Sequence, residues 1–197
     1  MDWDYHEIQA MRATNDDSVQ HAVNLWATEF GFARFSKNSW REKLPGGIRN
    51  VWLQRSQWSK TASYYPTVGF YPAEFLDFES LPPKRPLDAS FPVNLRLSQL
   101  CTREHYKQQI APSFDTGSNV SDFDREERIL QILTDMVSPI VENWFSLDDI
   151  VVMFTQGKLP AGSVGMPVLA EIDPELVPNL SDYVFDRGEF VLNQNDN

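Results

Sequence analysis

The sequence predicts an α+β fold: an antiparallel sheet of about four to five strands packed against an N-terminal helix and C-terminal helices. Three observations predict it. Apolar residues between 16 and 30 recur at helical spacing, residues 32–98 break into short alternating or aromatic runs separated by turn residues, and helical spacing returns after Ser121.

The first helix can be capped by Asn15, Asp16 or Asp17, and Val19, Ala22, Val23, Trp26, Ala27 and Phe30 form one apolar stripe. Gly31 ends it, because glycine best tolerates the left-handed conformation after a last turn. His21 lies off the stripe and reads as a surface side chain. Phe32 to Lys37 and Ser39 to Leu44 are short strands joined at Lys37-Asn38. Leu44-Pro45-Gly46-Gly47 is a stronger turn, with proline presetting its second position and glycine supplying positive φ at its third. Ile48 to Gln54 then returns antiparallel. After a polar loop, Tyr64 to Tyr71 reads as a strand ended by Pro72. Val93, Leu95 and Leu97 alternate with Asn94, Arg96 and Ser98, as in a strand with one buried face.

Leu81 to Pro92, with four prolines, reads as an extended loop, and Pro112 to Ser121 as a second loop. Ser121 caps a helix that buries Ile129, Leu133, Met136, Val137, Ile140 and Val141 and continues to Trp144. Pro139 lies inside it and predicts a kink or break near Ser138. Ser146-Leu147-Asp148-Asp149 resembles a capping box, opening a helix with Leu147, Ile150, Val151 and Phe154 inward and Gly157 as its stop. Residues 174–180 suggest one helical turn, and Tyr183 to Leu192 a hairpin around Asp186-Arg187-Gly188. Residues 1–156 are therefore expected to form a single α+β domain, with 157–197 an extension packed on it and the last residues frayed.

Charge is unevenly distributed. The chain carries a net charge of -11, yet residues 33–60 hold seven bases and one acid, whereas residues 120–197 hold four bases and fifteen acids. Such a division bears on partners and association rate rather than on fold. One cysteine, Cys101, excludes an internal disulfide; the start lacks a signal-peptide pattern, and no apolar run is long enough to span a bilayer. The expectation is a cytoplasmic protein without membrane association.

No familiar catalytic set is present. His6, His21 and His105 show no metal-ligand spacing, no Gly-x-Ser-x-Gly elbow occurs, and Gly46-Gly47 lacks the lysine of a phosphate loop. Asp122-Phe123-Asp124-Arg125-Glu126-Glu127 starts like a calcium loop but has Glu127 where the required glycine would stand. Cys101 reads as a small buried side chain. No cofactor, metal or enzymatic activity is expected.

Phe30-Gly31-Phe32, Trp40-Arg41, Leu53-Gln54-Arg55-Ser56 and Val68-Gly69-Phe70 together resemble a bacterial family known as a domain of unknown function. The resemblance covers residues 16 to about 100 and extends toward 155. It carries no catalytic residues, and small acidic proteins of this kind look like immunity proteins that neutralise bacterial toxins. The leading expectation is thus a non-enzymatic protein-binding module, its partner steered by Asp122, Asp124, Glu126, Glu127, Asp148 and Asp149. One alternative is single-stranded nucleic-acid binding through Trp40, Arg41, Trp52, Arg55 and Trp58, which the overall acidity opposes. Another is an enzyme with an unfamiliar site, which requires a cleft holding a titratable group of displaced pKa.

Overall fold

The computed structural model describes residues 16–75, 91–165 and 168–169, together with the backbone of 183–186 and 189–192. The chain is α+β. Helix α1 (Ser18–Glu29) precedes strands β1 (Ala33–Ser36), β2 (Ser39–Leu44), β3 (Gly47–Arg55), β4 (Tyr64–Pro72) and β5 (Val93–Arg96), which form one antiparallel sheet in the order β1-β2-β3-β4-β5. Helices α2 (Asp122–Ile132), α3 (Ser138–Val141) and α4 (Leu147–Thr155) follow. Strands β6 (Tyr183–Asp186) and β7 (Glu189–Leu192) pair antiparallel as the expected hairpin. Asn15, residues 81–90, the turn at 174–180 and the terminus at 193–197 lie outside the described residues.

By compactness the chain divides into two units, Met1–Glu42, Asn50–Val68 and Arg96–Asn143 forming the first, and Lys43–Arg49, Gly69–Leu95 and Trp144–Asn197 the second.

In the first unit α1 begins with a reciprocal cap: the Gln20 amide donates to Asp17 Oδ1 at 2.9 Å and the Asp17 amide to Gln20 Oε1 at 3.2 Å. It ends as the sequence predicts. Gly31 adopts φ 83°, its amide donates to the Thr28 carbonyl, and the Phe32 amide reaches back to the Ala27 carbonyl at 2.8 Å. That pair of bonds satisfies two helix-end carbonyls that would otherwise be orphaned.

His21 corrects the surface expectation, being only 1 % exposed. A single apolar stripe underestimates this helix, which packs against both α2 and β1 and buries Ser18, Gln20 and His21 beside its apolar residues. Its polar side chains are accommodated by specific partners, as when Gln20 Nε2 donates to Asn38 Oδ1 at 2.5 Å.

The helical run after Ser121 does not simply kink. Between α2 and α3, residues Leu133–Val137 form a wide π turn ending two residues before Pro139. Proline lacks the amide and clashes with the preceding turn of an α-helix, and a wider turn relieves that clash. The same solution recurs where the π turn Tyr106–Ile110 ends two residues before Pro112.

The wide turn also explains which side chains are buried. Ile129, Leu133, Val137 and Val141 all lie inside, at spacings of four. In an unbroken α-helix such a row drifts by about 40° per step, so an interposed turn with more residues keeps them on one side. Ser138 completes the junction. Its amide donates to the Leu133 carbonyl, its hydroxyl reaches the same carbonyl at 3.3 Å, and the hydroxyl accepts from Trp26 Nε1 at 3.0 Å.

In the second unit, the β2–β3 turn is tighter than composition alone suggests. Positive φ falls on Gly47, at 153°, rather than on Gly46, and a side chain at Gly46 would collide with the Phe145 carbonyl. Helix α4 closes on Gly157 at φ 69°, with Lys158 donating to the Met153 carbonyl at 2.9 Å. Its buried residues are Leu147, Ile150 and Met153, whereas Val151 and Phe154, both expected inward, are only half-buried. Trp144 is fully buried and lies 6.4 Å from the Phe70 ring.

Candidate functional site

The tryptophans of the basic segment do not form one face. Trp40 is 0 % exposed, with Nε1 donating to Asn24 Oδ1 at 2.8 Å, and Trp52 is 5 % exposed. Neither ring can stack on a nucleic-acid base, which corrects the predicted binding surface. Arg41 is half-buried, with its guanidinium 3.9 Å from the Phe35 ring centre, and burial pulls its pKa below the ordinary value. Only Arg55 and Trp58 of that set are exposed, and Trp58 is 95 % exposed.

Part of the basic charge serves the fold. Arg34 forms a two-pronged ion pair with Asp16 at 2.5 and 2.8 Å, and Nη2 also donates to the Lys37 carbonyl at 2.8 Å. Its Nε also reaches the Ser36 carbonyl at 3.4 Å, so the same side chain braces the turn that follows β1. In the second unit, the Arg49 guanidinium lies 5.4 Å from the Phe145 ring centre.

The predicted acids separate into different roles. Asp122, Asp124 and Glu127 are exposed on the first turns of α2. Glu126 is 3 % exposed and points into the interior, so it cannot steer a partner through solvent. The helical period places it on the buried side beside Arg125 and Ile129, a consequence that acidity alone conceals. Asp148 is exposed in the second unit, whereas Asp149 is half-buried, accepting the Ser146 hydroxyl at 2.7 Å while its amide donates to Ser146 Oγ.

Helix capping accounts for much of this arrangement. Ser121 Oγ accepts from the Asp124 amide at 3.2 Å and donates to Asp124 Oδ2 at 2.7 Å, while Asp122 Oδ1 accepts from Ser18 Oγ at 2.7 Å. Carboxylates here also complement the positive end of the helix dipole. Between them stands Phe123, 47 % exposed, a surface aromatic whose only sequence signal is its place between two aspartates off the apolar spacing.

A second exposed aromatic group is built differently. Trp58 sits in the β3–β4 connection, closed by the Ser56 amide donating to the Ser63 carbonyl at 2.8 Å. The Trp58 amide donates to Ser56 Oγ, and Thr61 Oγ1 donates to Asp115 Oδ1 at 2.9 Å. Thr116 adds its amide and hydroxyl to the Ala62 carbonyl at 2.9 and 3.0 Å. Gly117 is required because a side chain there would collide with Thr61. Beneath these residues Arg125, 1 % exposed, donates to the Asp115 and Val120 carbonyls at 2.8 and 2.7 Å. No local sequence signal assigns Arg125 this interior role.

Three other groups among the described residues have displaced pKa values. Burial, followed by the hydrogen bond to Asp17 and the charge of that carboxylate, pushes the Tyr64 hydroxyl above its ordinary pKa; its Oη donates to Asp17 Oδ2 at 2.6 Å. Burial likewise raises Tyr106, with a smaller contribution from Tyr65. Cys101 is half-buried rather than fully enclosed, and burial pushes its thiol up, away from the thiolate form a nucleophile uses. Among the described residues, no group of three or more His, Cys, Asp or Glu side chains is placed to hold a metal ion, and no helix is long and apolar enough to cross a membrane.

These features define an α+β protein with capped surface acids and exposed aromatic side chains, among them Phe123 and Trp58 in differently constructed settings. The chain belongs to the family described as Domain of unknown function (DUF4304), whose pattern matches residues 26–147. No curated protein and no solved structure matches it.

Proposed function

We propose that this protein is a non-enzymatic protein-binding module, and that the start of α2 is a docking surface for a basic partner. One observation carries the reading: Phe123 is 47 % exposed and is flanked by exposed Asp122 and Asp124, with exposed Glu127 one turn later. Exposed carboxylates speed encounter with a positively charged surface, while an aromatic side chain supplies contact area that charge alone does not. An immunity protein neutralising a basic toxin is the concrete form we favour. It acts by occlusion and needs no reacting group of its own.

Photocrosslinking from position 123 in the native cell would identify the partner, and the purified pair can then be titrated at several salt concentrations. Reversal of Asp122, Asp124 and Glu127 should weaken binding at least about tenfold and flatten its salt dependence. Unchanged affinity and salt dependence would reject the docking surface. If the partner is a toxin, co-expression should restore growth with the native chain and fail to do so with the triple reversal.

A further inference from the structure

The geometry points to a second binding epitope at the β3–β4 loop: Trp58 is an anchor for an acidic protein surface containing a pocket that can receive an indole. A tryptophan that is 95 % exposed gains almost nothing from the fold's interior. Its surroundings are nevertheless fixed. The loop is closed between Ser56 and Ser63, tied through Thr61 to Asp115 and through Ala62 to Thr116, and supported below Asp115 by buried Arg125. A restrained loop loses less conformational freedom on docking, and tryptophan offers a large contact area for few rotatable bonds.

Charge specifies the partner's chemistry. Residues 50–68 contain two bases, Arg55 and Lys60, and no acid; both bases are exposed and bracket Trp58. The nearby Asp115 uses Oδ1 to accept from Thr61 and from the Gly117 amide, committing that oxygen to the loop. An apolar pocket edged by carboxylates would therefore meet complementary groups from this loop. Single-stranded nucleic acid fits less well. Trp40 and Trp52 are buried, leaving one stacking ring from the predicted set.

The test begins with benzoylphenylalanine in place of exposed Gln57 in the full chain, photocrosslinked in the native cell. The expected adduct is with a protein, at a segment rich in Asp or Glu. With that partner purified, Trp58→Ala should reduce affinity about 30-fold or more, and R55E/K60E should slow association about tenfold at low salt. Neither exchange should alter the unfolding temperature appreciably.

An adduct with nucleic acid or a second copy of this chain, a partner segment without carboxylates, or a Trp58→Ala affinity within about twofold of native would overturn the assignment. Failure to form an adduct from position 57 would overturn it as well. Crosslinking from 57 and 123 separates the two readings: an adduct from 123 alone removes the Trp58 epitope and leaves the α2 surface, whereas one from 57 alone does the reverse.

Discussion

Trp40 and Trp58 come from the same basic, aromatic segment, yet they occupy opposite environments. Trp40 is sealed within the first unit, its indole nitrogen bonded to Asn24, whereas Trp58 stands almost entirely in solvent on a hydrogen-bonded loop. The difference teaches that aromatic content marks neither a core nor a binding face. Placement depends on the surfaces that other segments bring: α1 supplies Asn24 to Trp40, while the 115–118 segment braces Trp58's loop and leaves its ring uncovered.

The strongest test of this contrast is Trp40→Ala, which should destabilise the protein by about 3–5 kcal/mol through lost burial and a cavity. Chemical denaturation would measure it. A loss below about 1 kcal/mol would show that Trp40 is not the core residue its burial indicates.

Tyr64→Phe should have an intermediate effect, about 1–2 kcal/mol near neutral pH, because it removes a hydrogen bond to the Asp17 carboxylate. Tyr64's folded pKa is raised, so its protonated form is favoured in the native state. Its contribution is complete below the ordinary tyrosine pKa of about 10 and is lost as pH rises through the higher folded value. The stability difference between native and Tyr64→Phe proteins should therefore narrow in alkali. A constant difference across that range would contradict the linkage.

Trp58→Ala should have the smallest effect on stability, within about 0.5 kcal/mol, while reducing the iodide-accessible tryptophan fluorescence. If accessible fluorescence persisted undiminished, Trp58 would not be the solvent-facing ring that its 95 % exposure indicates. Such a result would break the comparison at its solvent-facing member.

Local signals carried much of the fold into the sequence. Gly31 and Gly157 end helices because each allows a left-handed residue whose following amides recapture free carbonyls. Ser121 and Ser146 cap helices because short hydroxyl side chains can accept the exposed amides of a first turn. Val93, Leu95 and Leu97 are buried as their alternation predicts, although the strand gives way to a 3-10 turn at Leu97.

The binding candidates were less legible because their properties arise from distant contacts. Glu126 looks like its exposed neighbours in sequence but faces inward, and Arg125 reaches two loop carbonyls that its own helix cannot reveal. The two proline-associated π turns show a similar limit. A proline announces a conflict with an ordinary helix, but packing determines whether the chain breaks, bends or widens a turn.

By itself the sequence determined the α+β class, the helix caps and stops, the principal strand positions and the uneven charge, because these depend on spacing and local backbone preference. Tertiary structure decided that His21 and Glu126 lie inside, that Trp40 is core and that Trp58 is surface. Local preference cannot specify those outcomes: burial depends on which remote segment covers a side chain, and hydrogen bonding then determines whether its polar atoms can remain there.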